Sequence, residues 1–436
     1  GNAIFGAVAA IWCWFLCRPR MQFVPAALIT AWLILTATSA SPLGAPTQIM
    51  SCAMIYNRHG YTILGLILIE CAFAYERSRF WGGVSSGAAV ILLAFLKLNF
   101  FFAGLLLIFA TLAVRPVESR RLRGLLAGAG VMLIVFLAIL RSAIVPFLLD
   151  MRYAIQSRIG GVGVGATLKL GLASIEILTA LSLTLITVML IRRDRDWKAF
   201  AGRLVLLCLA MVAGSLVLRR TDYGESGYQL AVLWVIILIV ELTRAFPAAK
   251  EKVAISAAVL LGLGGVFIQF GHEASTLQTL LRYQLPSVKA AAIEVPGMQR
   301  MAFYELDMSA LDQFKHETGS DFADYLDDGV QLLREHSSPQ ESIITVGYSN
   351  PFPYLLRRKP AHGGSPWFHL GNDISKTHPL DAKTVFGDAD LIMLPESPSS
   401  HRDSDLDLQA IYHQYLLDHF SFVARSNWWL LYRRKN

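Results

Sequence analysis

Apolar residues fall in long unbroken runs over the first 270 positions and in short alternating runs after that. The long runs cover about 3–16, 22–40, 61–74, 82–114, 124–149, 167–191, 203–218, 227–243 and 253–270. Roughly 20 apolar residues cross the hydrocarbon of a bilayer, so the pattern predicts a helical membrane domain over 1–270. The run 82–114 is too long for one crossing, and its middle holds Lys97-Leu98-Asn99. Polar groups are costly at mid-bilayer, so the run is expected to fold back there as a helical hairpin. That brings the count to about ten transmembrane helices, two of them short.

The loop charges agree with the hairpin. Arg18/Arg20, Arg77/Arg79, Arg115/Arg120/Arg121/Arg123, Arg192/Arg193/Arg195/Lys198 and Arg244/Lys250/Lys252 share one face only if 82–114 counts as two spans. The positive-inside rule makes that face cytoplasmic. The other face then carries 41–60, the 97–99 tip, 150–165, 219–225 and everything after 270. On this count Gly1 starts outside, so a cytoplasmic N-terminus requires an odd number of spans upstream, most simply one.

Beyond a linker at 271–320, residues 321–436 read as a small α/β extracytoplasmic domain. Ala323–Glu335 has helical spacing, Ser342–Val346 is a short apolar strand and Pro351–Arg357 a short helix. Asp390–Leu394 is a second buried strand, closed by Pro395. Leu406–Phe420 is amphipathic, and Phe420–Arg425 with Trp428–Tyr432 reads as a terminal hairpin. The alternation predicts a three-layer arrangement of sheet and helices.

Composition sharpens this picture. Of 436 residues 54% are hydrophobic and 16% charged, against roughly 25% charged in soluble domains. The net charge of +7 would suit nucleic acid, but the basic residues sit in short loops between spans, which excludes that partner. The five cysteines all lie in or beside apolar segments, with neither disulfide nor zinc spacing.

The residues with chemical potential converge on the outer face. Arg219-Arg220-Thr221-Asp222-Tyr223-Gly224-Glu225 packs two cations and two carboxylates between apolar runs. Lys97, Arg141 and Lys169 lie in outer halves of spans, and Glu176 lies two turns deeper than Lys169. Each has a plain account: lysines snorkel to headgroups, and Glu176 pairs with Lys169 or Arg141. Five cations on the face that positive-inside disfavours nevertheless suit an anion at membrane depth, above all a lipid-linked phosphate. Asp150, Asp222 and Glu225 are the carboxylates able to act as general base or to hold Mg²⁺ or Mn²⁺, unless the last two only neutralise Arg219 and Arg220. Tyr56, Asn57, Arg58 and His59 open the third span from outside, as an interfacial anchor or as the mouth of a cavity. Gly160–Gly165 lacks the register and preceding strand of a dinucleotide loop. In the α/β part, Asn350–Tyr354 and His362–Trp367 follow the first strand, where such sheets bind ligands, and serve sugar contact or capping of the membrane cavity.

About ten spans, an outward cavity with basic residues and a C-terminal α/β domain on the same side resemble the GT-C membrane glycosyltransferases. That superfamily includes the protein O-mannosyltransferases and the lipid A aminoarabinose transferase. The soluble part is especially similar: a helix around Gly329–Leu333, the strand Ile343–Val346, then Asn350-Pro351-Phe352-Pro353-Tyr354. Phe386-Gly387-Asp388-Ala389-Asp390 follows, with the ending Ser426-Asn427-Trp428-Trp429-Leu430-Leu431-Tyr432-Arg433-Arg434. The resemblance implies an inverting transferase of the cell envelope, in the cytoplasmic (inner) membrane with its α/β domain periplasmic. It would move a sugar from a polyprenyl-phosphate donor to an acceptor outside. It also implies a catalytic Asp in the first large outer loop; no such loop is present, so that Asp is expected upstream of Gly1. Arg219 and Arg220 are the first candidates for the lipid phosphate, with Lys97, Arg141 and Lys169 behind them. The alternatives are a transporter or flippase for an anionic lipid, which requires charges through both leaflets, and a polysaccharide polymerase or ligase.

Overall fold

The computed structural model describes residues 2–38, 55–73, 79–114, 119–157, 175–191, 197–219, 228–245, 320–347, 349–364, 379–396 and 402–435, with isolated positions 271, 274–275, 278, 281, 368, 374 and 376. The chain divides into two compact units. One comprises Gly1–Arg141 and Val162–Arg282; the other comprises Ser142–Gly161 and Tyr283–Asn436.

The first unit is helical: α1 (Asn2–Cys17), α2 (Phe23–Thr38), α3 (Ile55–Ala72), α4 (Arg79–Leu96), α5 (Leu98–Val114), α6 (Ser119–Leu140), α8 (Ile175–Ile191), α9 (Trp197–Arg219) and α10 (Tyr228–Ala245). Among the described residues three helices are long and apolar enough to cross a membrane: Arg79–Leu96, Ser119–Leu149 and Ala201–Leu218. These helices do not support the expectation of about ten spans. Asn2–Cys17, Phe23–Thr38, Leu98–Ala113, Ile177–Met189 and Leu230–Glu241 are apolar but shorter. The run 253–270 lies outside the described residues.

Helix α3 is the hub. From Asn57 to Ala72 nearly every side chain is buried, as expected of a helix surrounded by others. Gly65 lets Leu33 of α2 and Leu233 of α10 close on it. The expected hairpin is present. α4 ends at Leu96 and α5 begins at Leu98, with the Phe100 and Phe101 amides both donating to the Lys97 carbonyl. Gly104 of α5 comes back beside Leu93 of α4 and Ile67 of α3.

The tightest helix pair is α4 with α6. A Cβ at Gly83 would lie 2.2 Å from the Arg121 carbonyl oxygen, and one at Gly87 would lie 2.0 Å from that of Leu125. Gly124 and Gly128 meet the Phe80 and Val84 carbonyls equally closely, each at 2.1 Å. Both helices thus use small residues four apart so that their backbones touch. Position numbers rise together on the two helices, so α4 and α6 run parallel, and α5 is the return between them.

Threonines are tolerated in these apolar helices because the helix itself satisfies them. Thr30, Thr36, Thr62, Thr111, Thr184 and Thr187 each donate to the carbonyl four residues back. Thr184 also accepts from Trp234 Nε1 at 2.9 Å and lies 3.4 Å from Cys208 Sγ, joining α8, α9 and α10.

The second unit includes α7 (Ile144–Ser157), α11 (Ser320–His336), β1 (Ile343–Thr345), α12 (Phe352–Leu356), α13 (Ala382–Phe386), β2 (Leu391–Pro395), α14 (Arg402–His419), β3 (Phe420–Arg425) and β4 (Trp429–Arg434). The sheet order is β1-β2-β4-β3, with β1 and β2 parallel and β4 antiparallel to both neighbours. Alternate strand residues feed opposite faces. Ile343, Leu391, Met393 and Leu431 pack with Leu326, Val330 and Leu333 of α11. Ile344, Ile392 and Leu394 pack with Phe386 of α13 and with Leu408, Tyr412 and Leu416 of α14. The result is the expected three layers. Gly329 is required under the aromatic lid, because a Cβ there would come within 2.4 Å of the Phe352 ring and 2.9 Å of Trp429 Nε1.

Candidate functional site

A polar cluster sits where the first turn of α3 meets the α4–α5 tip. Lys97 Nζ donates to Asn57 Oδ1 at 3.0 Å. It also lies 5.3 Å from the Tyr56 ring centre and 5.9 Å from that of Phe100, within cation–π range. Asn57 and Arg58 are wholly buried. His59 lies against Phe5 with ring centres 3.9 Å apart and planes tilted by 31°, and its Nε2 lies 2.7 Å from Asn2 Oδ1. The helix start explains this arrangement: Tyr56 to His59 fill one turn, and Gly60 behind them lets the Phe100 ring approach to 2.7 Å of where a Cβ would stand. Two groups of residues selected separately by sequence, the opening of the third span and the hairpin tip, therefore form one constellation.

The cluster is rich in hydrogen-bond donors. Lysine has no acceptor, so Asn57 must turn its oxygen toward Lys97, which leaves its Nδ2 pointing elsewhere. That Nδ2 and the Nδ2 of Asn99 are buried with no hydrogen-bond partner among the described residues. An unmet buried donor costs about 1–3 kcal/mol.

Of the remaining sequence candidates only the side chain of Arg141 is described. Arg141 is exposed in a single 3₁₀ turn after α6 at φ 45°, and its Nε donates to the Ala138 carbonyl at 3.3 Å, capping its own helix. Arg219 is the last residue of α9 and Asp150 lies in α7, but their side chains lie outside the description. So do Lys169, Arg220, Asp222 and Glu225 entirely. Among the described residues there is no group of three or more His, Cys, Asp or Glu able to hold a metal ion.

A second buried cluster, at the other end of α3, was not anticipated from sequence. Glu70 accepts from Arg121 Nη2 at 2.5 Å and from Ser86 Oγ at 2.8 Å. Arg20 closes over it, its Nε donating to the Phe73 carbonyl and its Nη1 to that of Leu16. Gly82 makes room, since a Cβ there would stand 2.6 Å from Glu70 Oε1 and 3.2 Å from Arg20 Nη2. A lone carboxylate in the apolar run 61–74 was the available signal, because such a group must have a partner.

In the α/β unit, Asn350 is a turn-former: its Oδ1 accepts from Thr345 N at 3.1 Å and Oγ1 at 3.0 Å, closing the loop after β1. Asp388 staples the next loop, accepting from His362 N at 2.9 and 3.0 Å and from the His362 ring. Burial alone would raise the Asp388 carboxyl, but the hydrogen bonds and charge of His362 outweigh it and hold the carboxyl below its ordinary value. A depressed folded-state value means the staple stabilises above the unfolded carboxyl value near 3.9, and that this is lost as pH falls through the lower folded value. Melting curves across the acid range should therefore show Asp388→Asn melting lower than the parent at neutral pH, the gap closing toward pH 2.

No protein-family model, no curated protein and no solved structure matches this chain.

Proposed function

We propose that this chain is a membrane glycosyltransferase of the GT-C type that binds the phosphate of a polyprenyl-linked sugar at Lys97. The observation that carries the reading is the hydrogen bond between Lys97 and Asn57, which joins an ammonium to a buried amide whose Nδ2 has no hydrogen-bond partner among the described residues. Arg58 adds a second cation to the same turn. Such donors favour a dispersed anionic charge more as it grows, and this is what departure of a lipid phosphate requires. In the reaction the acceptor oxygen bonds to the anomeric carbon as the bond from that carbon to the phosphate oxygen breaks. Polyprenyl phosphate leaves, and the acceptor proton passes to a carboxylate base. The reading puts the chain in the inner membrane with its α/β unit periplasmic, as the resemblance to the GT-C enzymes implies.

Lys97→Ala should lower kcat/KM for polyprenyl-phosphate-sugar turnover in nanodiscs by roughly ten- to a hundredfold, the worth of a hydrogen bond to a charged group. Lys97→Arg should retain part of the activity. Full activity in Lys97→Ala with the protein folded would remove the site from the reaction.

One observation favours a second reading, a flippase for the same lipid phosphate. Buried charge occurs at both ends of α3, with Glu70, Arg121 and Arg20 at one and Arg58 at the other. Proteoliposomes separate the two: movement of labelled polyprenyl phosphate between leaflets without an acceptor supports the flippase, and sugar release that depends on an acceptor supports the transferase.

A further inference from the structure

The apolar character of α6 does not stop where the helix does. From Ser119 to Leu140 it has 22 residues, about 33 Å at 1.5 Å per residue, which already matches the roughly 30 Å of hydrocarbon. Arginines mark both limits, with Arg120, Arg121 and Arg123 at the start and Arg141 directly after the end. Arg141, at φ 45°, then breaks the helix, because a non-glycine residue in the left-handed region cannot continue it. Yet apolar residues carry on through Leu149. The 14 residues of α7 that follow belong to the second compact unit.

Apart from Pro146, the exposed side chains described on α7 form a strip. Val145 is 60% exposed, Leu148 56% and Leu149 43%, and Arg152 is exposed as well. These positions, i, i+3, i+4 and i+7, share one helix face. Ile144, Phe147 and Met151 on the adjoining face are only partly exposed. Pro146 falls in the first turn, where its missing N–H costs nothing. A soluble surface does not gain by presenting three large aliphatic side chains in a row. A helix lying in the headgroup region of a bilayer does: the aliphatic strip enters the acyl boundary and a flanking arginine reaches the phosphates.

We propose that α7 is an in-plane lipid-contact helix. Val145, Leu148 and Leu149 enter the acyl boundary, and Arg152 engages the anionic headgroups. The chain commits to this occupant because α7 is joined through three residues to a helix already as long as the hydrocarbon is thick. The proposal needs the membrane character of α6 but not the transferase reading.

Single cysteines placed at Val145, Leu148, Leu149, Arg152 and, on α6, Ile134 would carry an environment-sensitive fluorophore. The full chain would sit in nanodiscs of phosphatidylethanolamine and phosphatidylglycerol, with the unsubstituted protein labelled in parallel as background. Lipids spin-labelled near the glycerol end or near the methyl end of the chain then report depth. Positions 145, 148 and 149 should lose fluorescence mainly to the shallow label, 152 should lose little to either, and 134 should lose it mainly to the deep label. Quenching at 134 with none at 145, 148 and 149 overturns the lipid contact and leaves α6 in the membrane. Dominant deep quenching at 145 to 149 also overturns it, since the segment would then extend the span. Absence of quenching at 134 overturns both α7 and the membrane reading on which it rests.

Discussion

Gly87→Ala is expected to part α4 from α6 and to cost about 3 kcal/mol, the upper end of what overpacking exacts. The new methyl would lie 2.0 Å from the Leu125 carbonyl oxygen and 2.8 Å from the Ala129 amide nitrogen. Backbone, unlike a flexible side chain, has no rotamer through which to retreat. The helices must move apart, and the contacts that Gly83, Gly124 and Gly128 permit open with them. Between helices in an apolar medium such contacts are the main source of association, since lipid offers no hydrophobic drive. Gly130→Ala is the matched control: a Cβ there meets nothing within 4 Å, so it should be neutral or slightly stabilising through helix propensity. A thiol-reactive dye suits the measurement, because Cys13, Cys17, Cys71 and Cys208 are free and buried and react only as the unit opens. Equal labelling temperatures for Gly87→Ala and Gly130→Ala would show that α4 and α6 do not touch as described.

Glu70→Leu is the second large effect, expected to cost about 3–5 kcal/mol because it strands Arg121 in a buried site without its carboxylate. Both side chains are nearly enclosed, at 8% and 2% exposure for Arg121 and Glu70, so water cannot take over the lost partner. The informative variant is the double one. Glu70→Leu with Arg121→Leu removes both charges together, and the pair's desolvation cost disappears along with its attraction. Its melting point should recover most of the single mutant's loss. If the double variant melts as low as Glu70→Leu alone, Arg121 is not the partner whose stranding matters.

Much of this architecture was legible in the sequence, for reasons that differ from place to place. The hairpin at Lys97 was legible because polar residues in an otherwise apolar run permit few alternatives. Strands β1 and β2 and the β3–β4 hairpin were legible because buried short runs are bounded by turn residues such as Pro395. Helix α13 was missed: its five residues are too few for any periodicity, and its start depends on Asp381, whose side chain accepts from the Thr384 amide. The break at Arg141 was missed because the run 124–149 is apolar on both sides of it. The glycines of α4 and α6 show the four-residue spacing plainly, but spacing does not say which helix receives them. For the site, counting loops placed Lys97 and Tyr56–His59 on one face, and Asn57 then joined them. Arg121 was read as a loop cation, because the carboxylate that holds it lies 51 positions away. The loop 220–225, ranked first by its charge, lies outside the described residues.

The parallel run of α4 beside α6 has a consequence for biogenesis. Two neighbours that point the same way can mate only if the chain reverses twice between them, and Lys97 is the first of those turns. A nascent chain that read straight through that point would deliver α6 upside down, with carbonyls facing side chains instead of bare glycine backbone. The glycine faces therefore act as an orientation check, accepting the last-made helix only when the reversal before it has been executed.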